Sequence, residues 1–105
     1  MFLAMNQFRV NPERAADFER AWRERDSYLD GVPGFLQFHL LKGGTDPDGA
    51  QLYSSHVMWT DEAAFRAWVG SDAFRKAHAQ GSLKGITSGP PQLSGWTSVD
   101  LSREA

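Results

Sequence analysis

At 105 residues and 41% hydrophobic content, with four Trp and seven Phe, the chain has the size and composition of one globular domain. Eleven basic against thirteen acidic residues leave a formal net charge of −2, which gives no broad cationic surface to collect nucleic-acid phosphates. No cysteine is present, so disulfides, thiolate catalysis, iron–sulfur clusters and Cys-based zinc sites are all excluded. The opening MFLAM is apolar but short and lacks a basic flank, and no run is long enough to span a bilayer. These features predict a cytoplasmic protein without a membrane partner.

Phe2 to Val10 alternates as a strand should, with Phe2, Ala4, Asn6, Phe8 and Val10 on one face and Leu3, Met5, Gln7 and Arg9 on the other. Asn11 is a good N-cap and Pro12 a good first helical residue, so a helix is expected from there to about Asp30, ended by Gly31 and Pro33. Ala15, Phe18, Trp22 and Leu29 would form its buried stripe, while Glu19 and Arg23 pair on the solvated side. Gly34 to Lys42 and Gln51 to Thr60 read as two strands joined by the turn-rich GGTDPDGA. Thr60 or Asp61 caps a helix through Val69, Gly70 ends it, and Ser71 starts another through about Gln80. The stretch GSLKGITSGPP is expected to be a loop, and Gln92 to Leu101 a last strand. This order of strand, helix, strand, strand, helix, strand is the split βαβ of a ferredoxin-like α+β sandwich, one domain over residues 1–105.

Helices in this topology cover one face of the sheet, yet large apolar groups fall on both. Leu36, Phe38 and Leu40 oppose Phe35 and Leu41, and Leu52 and Met58 oppose Tyr53, Val57 and Trp59. A second apolar face predicts a partner subunit, and hence a homodimer in which two sheets pack together.

The three histidines, His39, His56 and His78, are too widely spaced for a helical or loop-borne zinc motif. His39 and His56 stand on strands among bulky apolar residues, where a structural or interfacial role is the plain reading. His78 stands late on a short helix with Phe74 one turn earlier and the small Ala73, Ala77 and Gly81 around it. It reads either as a surface histidine or as an axial ligand that a flat heme can approach. Trp68, three residues beyond Phe65, reads as core or as one wall of a pocket. Asn6 is unusual inside a strand; its amide is tied to neighbouring backbone or aimed at a ligand. No Ser-His-Asp arrangement or paired-carboxylate motif stands out.

On AMNQFRV in the first strand, the VPGF turn and MWTDEAAFRAWVGSDAFRKAH in the second helical region, the sequence resembles the antibiotic biosynthesis monooxygenase (ABM) superfamily. Within it the likeness is to IsdG-type heme-degrading monooxygenases, and it covers most of the chain. The resemblance implies a dimeric α+β barrel with one heme per subunit between sheet and helices, and a catalytic trio of Asn6, Trp68 and His78. His78 would then ligate the heme iron, Asn6 would donate a hydrogen bond on the opposite side, and Trp68 would press the macrocycle out of plane. Heme would be substrate and cofactor together, with O2 and an external electron donor, a reductase or a small reductant, completing the reaction. Arg75, Lys76 and Lys84 are candidates for the propionates or are simply solvated charges. Two other readings stand beside this one: a cofactor-independent monooxygenase of a quinol or phenolic aromatic with His78 as base, and a heme carrier or sensor that never turns its ligand over.

Overall fold

The computed structural model describes residues 1–78 and 85–102. Its first strand, β1 (Phe2–Val10), lies in the middle of a four-stranded antiparallel sheet, flanked by β3 (Gln51–Trp59) and β4 (Gln92–Thr97), with β2 (Phe35–Thr45) beyond β3. The order β2-β3-β1-β4 is that of the ferredoxin-like fold. A 3-10 turn (Pro12–Arg14), α1 (Ala15–Glu24), α2 (Glu62–Val69) and α3 (Asp72–His78) supply the helical layer. Among the described residues no helix is long and apolar enough to cross a membrane.

The alternation read in β1 is the alternation observed. Phe2, Ala4, Phe8 and Val10 are buried under the helices, and Asn6 shares their face. From the same face of β3 come Tyr53, Ser55 and Trp59, all buried. The helix-side core falls into two clusters. One gathers Phe8, Val10, Phe18, Tyr53 and Ile86. The other gathers Phe2, Ala4, Leu29, Trp59, Trp68 and Ala77.

Asn11 caps the first turn as its sequence suggests, accepting a hydrogen bond from the Glu13 N–H at 3.1 Å. The helix that follows is shorter than expected, stopping at Glu24 instead of about Asp30. Arg25 is already extended (φ −79°, ψ 146°), and the side chains of Asp26 and Ser27 accept from the Tyr28 and Leu29 N–H groups. Short polar side chains that bond backbone two residues on favour a turn over another helical turn. Leu29 is therefore buried from a loop and not from the helix stripe.

Gly34 seats that loop on α2. Its φ is +83°, and a Cβ there would lie 2.4 Å from Cβ of Ala64 and 2.8 Å from Oγ1 of Thr60, so both its conformation and its bareness are used. β2 runs on to Thr45, three residues past the expected end, through an irregular register between Lys42 and Thr45. The hairpin turn is held by Asp46, whose carboxylate accepts from the Asp48 and Ala50 N–H groups and pairs with Arg9 at 2.6 Å. The last strand ends at Thr97 and not Leu101. Beyond it the Ser98 N–H donates to the Met1 carbonyl, and Val99 and Leu101 are exposed.

Candidate functional site

A polar seam divides the two core clusters. Asn6 on β1 stands opposite Ser55 on β3 and Leu93 on β4, between Ala4, which belongs to one cluster, and Phe8, which belongs to the other. Ser55 is buried, and Oδ1 of Asn6 is sealed from solvent with no hydrogen-bond partner among the described residues. A buried amide oxygen without a partner costs roughly 1–3 kcal/mol, so native folds rarely keep one without a use.

Trp68 comes from the last turn of α2, where the spacing from Phe65 turns both rings inward. The indole is buried, 6.3 Å from the ring of Trp59 and edge-on to Phe74 at 5.7 Å. It lines a groove of about 530 Å³ with Val32, Gly34, Ala64, Ser71 and Ala73, within the size range of small-molecule sites. Neither Asn6 nor His78 lines that groove.

Ser71 makes the break between α2 and α3. Its hydroxyl donates to the Trp68 carbonyl at 2.6 Å and accepts from the Phe74 N–H at 3.1 Å, closing one helix and opening the next with a single side chain. Seven residues later His78 is exposed at the end of α3, its ring against Phe74 with centroids 3.9 Å apart. His78 Nδ1 lies 2.8 Å from the Phe74 carbonyl oxygen. A carbonyl only accepts, so Nδ1 carries a proton, and in the neutral imidazole the lone pair then belongs to Nε2, the tautomer of a metal-ligating histidine fixed by a backbone partner.

The structure thus joins Trp68 and His78 through Phe74, and it joins Trp68 to the strand of Asn6 through the cluster that holds Ala4 and Ala77. Of the three charged candidates, Arg75 pairs with Asp72 on its own helix, Lys76 is exposed, and Lys84 lies outside the described residues, as does Gly81.

Two residues enter the site that the sequence reading passed over. Arg25, just past α1, reaches across to donate from Nη2 to the Ala77 carbonyl at 2.7 Å, with its guanidinium carbon 4.7 Å from the Trp22 ring centre. Burial pushes the Arg25 pKa down, and its Nε has no partner among the described residues. Nothing local distinguished it from Arg20 or Arg23 except Trp22 three residues earlier. Trp59 is the second. It is fully buried, its indole N–H has no partner among the described residues, and it packs against Trp68 and Phe35.

No three His, Asp or Glu side chains among the described residues converge on a metal-sized site. A metal held by His78 alone must bring its other ligands with it, which a porphyrin does. The exposed imidazole of His78 against Phe74 fits such a group, while Asn6 is sealed in the core and lies outside the groove that Trp68 lines.

Among solved structures, the chain is similar to the heme-degrader MhuD from Mycobacterium tuberculosis with two hemes bound in its active site, at a TM-score of 0.71 and 24% identity over 97% of this chain and 100% of that one. It is similar as well to SnoaB, a cofactor-independent oxygenase from Streptomyces nogalater, at a TM-score of 0.66 and 22% identity over 98% and 97% of the two chains. At such identities the likeness is one of fold, and this fold serves both a heme-degrader and a cofactor-independent oxygenase. The sequence model of antibiotic biosynthesis monooxygenases matches residues 1–80, a span that contains Asn6, Trp68 and His78, and the chain belongs to that family.

Proposed function

We propose that the chain is a heme-degrading monooxygenase that takes heme through His78. The observation that carries this reading is the bond between His78 Nδ1 and the Phe74 carbonyl, which fixes the tautomer and leaves Nε2 as a ligand beside an aromatic wall. Bound heme supplies the iron at which O2 is reduced by an external electron donor, and the same heme is the molecule consumed. His78 holds the group and Phe74 orients the imidazole. Asn6 presents an amide that can turn to donate or accept across the seam, and Trp68 sets the shape of the wall. The exposed Leu41 and Trp96, with Leu3, Met5, Leu52 and Met58 on the uncovered sheet face, support a homodimer built on that face. Light scattering checks the dimer; a single-chain mass at micromolar concentration would remove it.

Hemin titration tests the function. A Soret band should appear near one equivalent and then decay on addition of ascorbate in air, with an open-chain tetrapyrrole as product. His78→Ala should weaken heme binding by roughly tenfold or more, while His39→Ala and His56→Ala leave it unchanged. An unaltered ferric spectrum in His78→Ala would place the ligand elsewhere. A band that persists with reductant and O2 would make the protein a heme carrier.

One observation favours a second reading. The Arg25 bond to Ala77 ties the end of α1 to α3 over the stacked rings of Trp22 and Phe38, a confined aromatic surface that suits a quinol or phenol in a cofactor-independent oxidation. Absence of any Soret band, with turnover of a dihydroxyaromatic, would select it.

A further inference from the structure

The sheet face turned away from the helices carries a row of metal-ligating side chains that the site above does not use. Met5 on β1, His56 on β3 and His39 on β2 are successive cross-strand partners, and the two imidazole centroids lie 6.0 Å apart with their planes at 51°. Directly opposed residues of antiparallel strands have Cβ atoms about 4.5–5.5 Å apart, so each member of the row is within reach of the next. His39 makes no hydrogen bond or ion pair with any described residue, and Nδ1 of His56 is buried without a partner. The neighbours on this face, Leu3, Leu41 and Met58, bring no charge.

Donor chemistry narrows what the row can hold. Two imidazoles 6.0 Å apart, with no carboxylate among the strand residues of this face, suit a soft cuprous ion content with two or three neutral ligands. A thioether as third donor selects the same soft ion. We infer that His39 and His56, with Met5 as third donor, form a site for cuprous copper on the sheet face turned away from the helices.

This site lies across the sheet from Asn6, so it stands or falls apart from the heme reading. In the homodimer proposed above this face lies between the copies, so each copy brings its own row to the barrel interior and stoichiometry is counted per chain.

Anaerobic titration with Cu(I) held by bicinchoninate tests the site. The protein should bleach the coloured complex by withdrawing about one equivalent per chain, an amount retained in His78→Ala, which lacks the exposed imidazole of α3. His39→Ala and His56→Gln should each weaken copper binding by roughly tenfold or more, and Met5→Leu by a smaller factor. His39 is exposed on an edge strand, so its truncation leaves the fold intact, and circular dichroism checks His56→Gln. Failure to withdraw copper, loss of the equivalent in His78→Ala, or its full retention in both His39→Ala and His56→Gln would overturn the assignment.

Discussion

The two ends of the helix-covered core are built from the same kinds of aromatic residue and differ in where their polar tips go. Around Phe18, the rings of Tyr53 and Phe8 pack at 4.7 and 5.4 Å, and the Tyr53 hydroxyl donates to Glu19 at 2.5 Å. Around Trp59, the rings of Phe35, Phe65 and Trp68 pack at 5.9 to 6.3 Å, yet among the described residues the buried Trp59 N–H has no partner, nor has the Asn6 oxygen at the seam. The first end satisfies its buried tyrosine from the chain itself, and only at its margin does Nε1 of Trp22 lack a partner among the described residues. The other holds donors and acceptors that an added group can engage, and it is the end that carries Trp68 and leads to His78. The difference teaches that the two clusters of one small core place their buried polar tips differently.

Breaking the satisfied end should cost the most stability. Phe18→Ala, at a fully buried position, is expected to lose about 3–5 kcal/mol in urea unfolding, while whatever remains folded titrates hemin as the parent does. Loss of heme affinity in that folded fraction would show the two ends to be coupled.

Tyr53→Phe sharpens the same contrast with a smaller effect, about 1 kcal/mol at neutral pH for one lost hydrogen bond. Burial first, and then the bond to Glu19, push the Tyr53 pKa up to about 12. An unfolded tyrosine deprotonates near pH 10, so the folded state holds the proton more tightly. Stability from this group is complete below about pH 10 and is lost as pH rises toward 12. The Tyr53 hydroxyl, with Lys42 and Arg23, conversely holds the Glu19 carboxyl below its usual range, a contribution lost in acid. Unfolding midpoints between pH 8 and 11.5 should therefore fall for the parent and stay flatter for Tyr53→Phe; parallel curves would assign the alkaline loss to another group.

The smallest change in stability is expected at the seam. Asn6→Ala removes an oxygen that has no partner among the described residues, so the folding free energy should move by less than about 1 kcal/mol, in either direction. Heme should still bind, yet its degradation should slow by roughly tenfold or more, because a positioned hydrogen-bonding group is lost from the reaction and not from the fold. A folded, heme-loaded Asn6→Ala that consumed heme at the parental rate would end the case for Asn6.

Period-two alternation in Phe2 to Val10 and Gln51 to Trp59 made the strands readable, and capping chemistry at Asn11 and Asp61 made the helix starts readable, because both are local properties of the chain. The end of α1 was not readable from Gly31 and Pro33, since Asp26 and Ser27 had already drawn the backbone into turns. Asn6 announced itself as a polar residue on an apolar face, and Trp68 and His78 stood out by their spacing around the Gly70–Ser71 break. Arg25 stayed hidden because its partner, the Ala77 carbonyl, is remote in sequence and any backbone carbonyl looks alike from the sequence. The tautomer of His78 was hidden for the same reason: it depends on a carbonyl oxygen one helical turn back.

Strand order also sets a schedule for assembly. β1 is the first strand made and a central one, and its second neighbour is the last strand, residues 92–97. During synthesis β1 can pair with β3 once residue 59 has emerged, but its other edge waits for β4, and contacts so far apart in sequence are slow to close. A chain that has not yet delivered β4 has Trp68 and His78 already made and leaves Asn6 without its neighbour Leu93. Its bare β1 edge, rich in Phe, Ala and Val, is also a template for pairing with another unfinished chain. Completion of the seam and protection from aggregation therefore arrive in one step, with the docking of a six-residue strand.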